Sequence, residues 1–547
     1  MQDNTTQIFN EENNKFLSER LLGGSTTSDD DDNDNGQYNQ RTGDTVINES
    51  IAANIGENGG GEEGLEGRGF GQQPEYRDAP FAIAFLIHIS VVLFVAVAWG
   101  VPALRQQQND DDVYDNNDES YGYVSLSGIL WLCFLTCLIS ISISAVSLQV
   151  MMHHAEILIQ SSLIGSCCCF FVVAILFFVE GRGLVTVGLC WVILLLVTVW
   201  YATSVWNRIP FAAANLRTAL SAVQTNGGIC VVAYGIAFVA MIWTGVWSLA
   251  LIGVSFKEST CISGVCQPHM NAISMMLLIL SFYWTSQVLQ NVLHVTVSGV
   301  VGTWWFDPQD ALSVFSPAIV DSFRRSTTYS FGSICMGSLL VAIIQSMEAM
   351  VRSARQQNNQ GVGTILLCII ECILRMISRI AIYFNRWAYC YVGLYGFDYI
   401  SSGKKAMELF QARGWTIIIT DNLVHRSLAL VSIVIGALSG IICMLVAKAT
   451  GWTTTIFGSS NGEGGEGEGD SSSLLSVSDD GIVFFICFLI GMTMSFILLN
   501  VVLSAVDTVI VAFAEAPAEF NTNHPALYNN MIQKWRLVFP DECVDFH

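Results

Sequence analysis

Ten stretches of this chain hold twenty or so mostly apolar residues with few charges. That is the length a helix needs to cross a hydrocarbon core about 30 Å thick. They fall at roughly 81–101, 127–150, 157–180, 184–206, 228–256, 270–301, 327–351, 361–394, 417–449 and 481–513. The length and continuity of these runs predict helices and not a barrel. The expected fold class is therefore all-α: a polytopic helical membrane protein with about ten transmembrane helices. The sixth and eighth runs exceed what a bilayer requires, so they tilt, break or project beyond it. The eighth also carries Glu371, Arg375, Arg379 and Arg386. Glu371 and Arg375 are four apart, the spacing of an ion pair within one helix, with Arg379 a turn further on. If that segment lies on the surface instead of crossing, nine spans remain and the C-terminus changes sides.

Within the sixth run, the stretch Phe282–Trp305 departs from the plain apolar pattern. Tyr283, Gln287, Asn291 and His294 follow one another at helical spacing and share one face. A polar stripe on an apolar helix is costly in lipid and points to other protein or to a water-filled path. The stretch closes on Gly299, Gly302 and the pair Trp304–Trp305, which reads as an aromatic anchor at a bilayer surface. Gly299, Gly302, Gly332 and Gly337 flank the junction of the sixth and seventh runs and allow either close packing or a hinge. Residues 402–413, SGKKAMELFQAR, read as a short amphipathic helix at the inner surface.

Composition agrees with a membrane protein. Of 547 residues, 52% are hydrophobic and only 13% charged, with a mean hydropathy of +0.50, whereas soluble domains carry about 25% charged residues. The net charge of −22 is concentrated: residues 1–79 hold seventeen acids against five bases. This segment has little to bury and is expected to be a disordered acidic cytosolic tail, its Asp29–Asp32 run a solvated one. Residues 80–515 then form the transmembrane domain and 516–547 a cytosolic C-terminal tail. No signal peptide precedes the first run, which reads as a retained span. The glycosylation patterns at Asn4 and Asn48 fall in the cytosolic tail.

Basic residues in short loops set the orientation. With a cytosolic N-terminus, the inner loops hold Arg208, Arg217, Arg324, Arg325, Lys404, Lys405 and Arg413, against Arg105, Arg182, Lys257, Arg352 and Arg355 outside. Both termini are then cytosolic. Most of the sixteen cysteines lie in apolar runs and read as small packing residues, Cys167–Cys169 among them. Cys261 and Cys266 share a short polar loop on the outer side, where a disulfide can form. No metal-ligand spacing or cofactor fingerprint is present, and GEGGEGEGD near residue 465 lacks the Lys and Ser/Thr of a phosphate-binding loop. No metal, cofactor or nucleic-acid partner is expected.

From about Ile229 to Tyr528 the chain resembles the choline transporter-like family, which includes the fungal PNS1-type members. Three blocks carry the resemblance: TVSGVVGTWWF (Thr296–Phe306); FRRSTTYSFGSICMGSLLVAIIQ (Phe323–Gln345) with FNRWAYCYVGLYGFDYISSGKKAMELF (Phe384–Phe410); and VDTVIVAFAEAPAEFNTNHPALY (Val506–Tyr528). Asn385, Ala388, Tyr389, Ser402, Lys404 and Ala406 occupy family positions in the second block. In the third, Ala512 and Ala516 replace the usual Cys and Asp. The resemblance implies a ten-span carrier of choline or a related amine in the plasma membrane, with both termini cytosolic.

A quaternary ammonium cannot donate a conventional hydrogen bond, so aromatic faces are its natural partners, each worth on the order of 2 kcal/mol when desolvated. The fifth run offers Tyr234, Trp243 and Trp247, the tryptophans on one face; the sixth offers Tyr283 and Trp284 beside the polar stripe. If the two runs are neighbours these rings can form a cage. The alternative is packing against lipid or at the interface. Gln287 and Asn291 can bind a substrate hydroxyl or simply join helices. His294 can couple transport to protons or serve as a packing residue. Asp507, in the last run, reads as a structural or gating contact; Glu156 beside His153 and His154 reads as a solvated turn; Glu348 can attract cations or pair with Arg352 at i,i+4. Two functions follow: a transporter of choline-like cations by alternating access, facilitated or proton-coupled, or a membrane scaffold or lipid-interacting protein that transports nothing. No nucleophile–base arrangement points to an enzyme.

Overall fold

A computed structural model describes residues 72, 74–105, 126–180, 185–258, 260–262, 265–267, 270–311, 313–357, 362–413, 423–450 and 479–539. The acidic tail before them, the acidic loop near 102–126, the Gly/Glu-rich loop at 450–480 and the last residues lie largely or wholly outside that set. The described chain is helical: α1 (Ala79–Val95), α2 (Leu126–Glu180), α3 (Val185–Val205), α4 (Ile209–Thr225), α5 (Gly228–Glu258), α6 (Ala272–Phe306), α7 (Pro317–Thr327), α8 (Phe331–Gln357), α9 (Val362–Tyr395), α10 (Tyr399–Ala412), α11 (Leu423–Thr450), α12 (Asp479–Glu515), α13 (Pro517–Asn523) and α14 (Pro525–Val538). One small hairpin interrupts them, β1 (Thr260–Ile262) against β2 (Val265–Gln267), antiparallel with Cys261 opposite Cys266. The sulfur atoms of that pair lie outside the described side chains.

Among the described residues, eight helices are long and apolar enough to cross a membrane. The second and third apolar runs join in α2, whose 55 residues would extend about 80 Å. The backbone breaks at His154, with φ −129° and ψ 37°. The expected eighth run, α9, is continuous but is not one of the eight. Its Glu371 carboxylate receives Arg375 at 2.7 Å, Arg352 at 3.4 Å and Arg355 at 2.9 Å, while Glu348 of α8 receives Arg352 at 2.8 Å and Arg375 at 3.1 Å. Glu371 and Arg375, which look costly along α9, are thus answered by α8, the helix beside it.

The core lies where α6, α8, α9 and α12 meet, and α11 packs along α12. Close approach is built on small residues. A Cβ at Gly299 would stand 2.7 Å from Ser322 Oγ, and one at Gly302 would stand 2.5 Å from Leu394 Cδ2. Close packing accounts for these glycines as they stand. The sequence pattern misses α4. Its run is broken by Asn215, Arg217 and Thr218, yet twelve of its seventeen residues are buried against neighbouring helices. Trp535 of α14 seats on it, ring centroid 4.8 Å from Phe211, with Nε1 donating to Asn215 Oδ1 at 2.9 Å.

Trp304 and Trp305 correct the sequence expectation. They are fully buried in protein and do not face a bilayer surface. Trp305 stacks on Phe520 with centroids 4.0 Å apart and donates from Nε1 to the Ala516 carbonyl at 3.0 Å. Trp304 stacks on His524 at 4.0 Å. Burial holds the His524 pKa below the ordinary histidine value. The chain after α12 therefore folds back as two short helices, α13 against the end of α6 and α14 against α4. The predicted amphipathic segment forms α10, burying Tyr399, Ser402, Gly403, Ala406 and Phe410 on one face.

Ahead of α1, a short strap crosses the ends of α8, α9 and α10. Gln72 Nε2 donates to the carbonyls of Gly393 at 3.0 Å and Leu394 at 2.7 Å. Asp78 Oδ2 accepts from Ser333 Oγ at 2.7 Å and from the Tyr399 amide at 3.0 Å. Gly396 has φ +70°, a left-handed conformation that favours glycine.

Candidate functional site

Helices α5 and α6 are neighbours, and their aromatic residues converge near the start of the polar stripe. Trp243 and Trp247 stand one turn apart on α5. Trp243 is buried; its indole nitrogen is buried too and has no hydrogen-bond partner among the described residues. Trp247 Nε1 donates to the Leu278 carbonyl at 2.8 Å, and its ring lies 5.0 Å from Phe282. Trp284 reaches the other way, donating from Nε1 to the Cys335 carbonyl of α8 at 3.1 Å. Tyr283 is half-buried and touches Phe282 at 6.0 Å. Tyr234 does not join them. It lies nine residues before Trp243, about 13 Å along the axis, and packs against the largest buried cluster.

Between Trp243 and Trp284 stands a residue that the sequence reading did not single out. His88 of α1 lies almost parallel to Trp284, with centroids 5.0 Å apart and planes 28° apart. It is 6.1 Å from Trp243 and 5.7 Å from Phe85. Its Nε2 lies 2.8 Å from the buried Ser281 Oγ.

Further along α6, each member of the polar stripe meets a neighbouring helix. Gln287 Nε2 donates to Gln345 Oε1 at 3.3 Å, and Asn291 Nδ2 donates to Ser338 Oγ at 2.9 Å. The His294 Nε2 lies 3.5 Å from Cys390 Sγ. Of the two settings that the spacing allows, other protein or a water-filled path, Gln287, Asn291 and His294 meet protein, and hydrogen bonding between helices accounts for Gln287 and Asn291 as they stand. Beyond His294 the polar groups continue into the bundle. Thr508 Oγ1 of α12 donates to Ser298 Oγ at 2.9 Å and reaches Cys390 Sγ at 3.8 Å. Arg386 pairs with Asp507. His425 Nε2 of α11 is 4.0 Å from the second Asp507 oxygen. An ion pair so deep is stable only because each charge answers the other. Asp507 was legible as an acid in an apolar run; its partner, 121 residues away, was not.

The family-pattern residues surround this interior. Tyr389 OH donates to the Ile334 carbonyl at 3.1 Å; Asn385 Nδ2 donates to the Gly337 carbonyl at 3.0 Å and its oxygen accepts from Tyr399 OH. Both tyrosines press on Gly337, where a Cβ would stand 2.3 Å from the Tyr399 ring and 2.5 Å from Tyr389 OH. Gly337→Ala is therefore expected to destabilise by about 1–3 kcal/mol, as overpacking does. Gly245→Ala, where a Cβ meets nothing within 4 Å, should be neutral or slightly stabilising. Thermal unfolding of the two purified variants in one detergent checks the contrast. Lys404 is exposed and weakly paired with Glu408 at 3.8 Å, whereas Lys405 sits 4.0 Å over the Phe397 ring. Glu156 is not merely solvated: Lys534 of α14 reaches it at 2.9 Å.

A model of the plasma-membrane choline transporter family matches residues 189–518. The match begins ahead of Ile229, where the sequence blocks begin, and takes in every residue above from α5 to Asp507. A CTL-like protein of Dictyostelium discoideum is 30% identical over 378 residues, covering 68% of this chain and 65% of that protein. A Protein PNS1 of Gibberella zeae is 28% identical over 341 residues, covering 61% and 59%. Protein PNS1 of Mycosarcoma maydis is 26% identical over 486 residues, covering 87% and 86%. The matched part thus spans less than two thirds of the first two relatives.

Proposed function

This chain belongs to the plasma-membrane choline transporter family, and on that premise we propose that it carries choline or a related organic cation across a membrane by alternating access. The convergence of Trp243 and Trp284 from two helices, at the head of the polar stripe, carries the reading. The ammonium lies against these two rings, with Trp247 and Tyr283 at the rim. Gln287 and Asn291 are the next polar groups along α6 and meet the hydroxyl as the substrate moves on from the rings, once their present partners yield. Tyr234 lies further along the path. His294, beside Cys390 and close to the Arg386–Asp507 pair, is where protons would couple. Ten crossings place both termini in the cytosol, and the β1–β2 hairpin outside, with Cys261 and Cys266 in register for a disulfide. The lipid bilayer and the amine are then the partners.

Each desolvated ring contact contributes on the order of 2 kcal/mol, so two or three of them give an affinity that still permits release. A monovalent cation gains about 2.3 kcal/mol per 100 mV of membrane potential, enough to drive facilitated uptake. Uptake of labelled choline into proteoliposomes, with ethanolamine and thiamine as competitors, is the test. Saturable uptake of at least one of the three is expected. Trp243→Ala should weaken binding by about tenfold or more and abolish substrate-dependent thermal stabilisation. A scaffold has no such stabilisation to lose. Absence of saturable uptake for all three compounds rejects the reading.

A further inference from the structure

The aromatic slot already has an occupant. The centre of the His88 ring lies 5.0, 5.7 and 6.1 Å from the centres of Trp284, Phe85 and Trp243. Those are the distances, up to about 6 Å, at which a cation is held by aromatic rings. A compact ammonium placed where the imidazole now sits would meet all three. The polar end of the slot is occupied as well, because the imidazole nitrogen lies 2.8 Å from Ser281 Oγ. His88 thus occupies the places of both halves of a hydroxylated amine: its ring stands among the aromatics where the ammonium would lie, and one ring nitrogen sits at the serine. Beside it the Trp243 indole nitrogen is buried without a hydrogen-bond partner among the described residues, so this part of the slot is not optimised for the resident histidine.

His88 also enters from a separate element. Trp243 and Ser281 belong to α5 and α6, which are held together by the bond from Trp247 to Leu278. His88 comes from α1, and a π-helical turn at Ala96–Gly100 follows that helix. Such turns distort a helix locally and recur at functional sites. The imidazole can leave the slot with α1 while α5 and α6 keep their contact. His88 lies ahead of the residues matched by the family model.

We infer that His88 is a resident competitor in the aromatic slot, and that a quaternary ammonium with a hydroxyl arm binds by displacing it, the hydroxyl taking its place on Ser281. His88 and Ser281 then set affinity and selectivity without holding the substrate's charge themselves. The inference rests on the proposed ammonium site at Trp243 and Trp284.

Binding of choline and of tetramethylammonium, which lacks the hydroxyl, to the full chain in lipid nanodiscs tests it, with isothermal titration as the readout. His88→Ala is expected to tighten both ligands, by about three- to tenfold. Ser281→Ala releases the histidine but keeps its ring. It should tighten tetramethylammonium severalfold and lower the preference for choline over tetramethylammonium. Trp243→Ala should weaken both. If Trp243→Ala weakens binding while His88→Ala and Ser281→Ala leave both affinities unchanged, the ammonium site stands and the competitor role is overturned. If wild type binds and Trp243→Ala changes nothing, the site itself is wrong and the inference falls with it. The same holds if neither wild type nor His88→Ala binds either ligand. Binding seen only in His88→Ala supports the inference in its strongest form.

Discussion

Asp507→Asn is expected to cost about 3–5 kcal/mol of stability, the loss seen when one partner of a buried ion pair is removed. Asp507 is 2% exposed and faces Arg386 of α9 on one oxygen and His425 of α11 on the other. Its carboxylate therefore draws three helices, α9, α11 and α12, to one point. The asparagine keeps the shape and removes the charge, leaving the guanidinium in the interior without its counter-ion. Arg386 also lies 4.5 Å over the Trp387 ring, a contact worth on the order of 1–2 kcal/mol that does not replace the carboxylate. Replacing both partners with apolar residues, as in Arg386→Met with Asp507→Leu, should restore much of the loss, because no unpaired charge then remains. Thermal unfolding of the two singles and the double in detergent supplies the cycle. Singles within about 1 kcal/mol of wild type would contradict a desolvated pair.

Trp305→Ala should be nearly as damaging, at about 3–5 kcal/mol, the usual range for deleting a buried tryptophan. The side chain is fully buried, stacked on Phe520 and bonded to the Ala516 carbonyl. Its loss removes the surface on which α13 docks. Limited proteolysis should then cut after α12 many times faster than in wild type, before the helices of the bundle are attacked. Trp305→Phe keeps most of the stacking and should lie between. A tryptophan at a lipid–water surface behaves differently: substitutions at exposed sites usually fall within about 0.5 kcal/mol. The experiment thus separates the buried position described above from the interfacial one that composition suggests.

These two sites show how far the sequence carries. Apolar run length found the long helices of the bundle, because the bilayer demands a length that soluble folds do not, but it split α2 into two runs and left out α4. Helical spacing alone put Gln287, Asn291 and His294 on one face of α6, with other protein and a water-filled path both open as its setting. Spacing within one helix says which residues share a face; it does not say which helix meets that face. Gln345, Ser338 and Cys390 were therefore invisible as partners, and so was the pairing of Arg386 with Asp507. Trp304 and Trp305 misled for a related reason: the same residue type marks a membrane surface and a packed interior. What decides between them is Phe520 and His524, more than 210 residues later. The charges of α9 made it look the least secure span, since Glu348 and Arg352 on α8 answer them only in three dimensions. His88 carried no periodic signal at all. One imidazole in an apolar run is ordinary; three rings and a serine around it are not.

The strap at the start of α1 has a mechanical consequence. Asp78 is tied to Ser333 and Tyr399, so α1 is clamped at its foot to two other helices, while its far end passes into a π-helical turn. A rod tied by hydrogen bonds at its foot and held by packing at its far end, where Gly100 lies against Leu249, pivots at the foot as a lever. His88 lies ten residues from the clamp, about 15 Å along the rod, so a tilt of about 5° sweeps the imidazole sideways by about 1.3 Å with little translation of Asp78. The arm length between foot and ring converts a small rocking of one helix into the clearance of a slot.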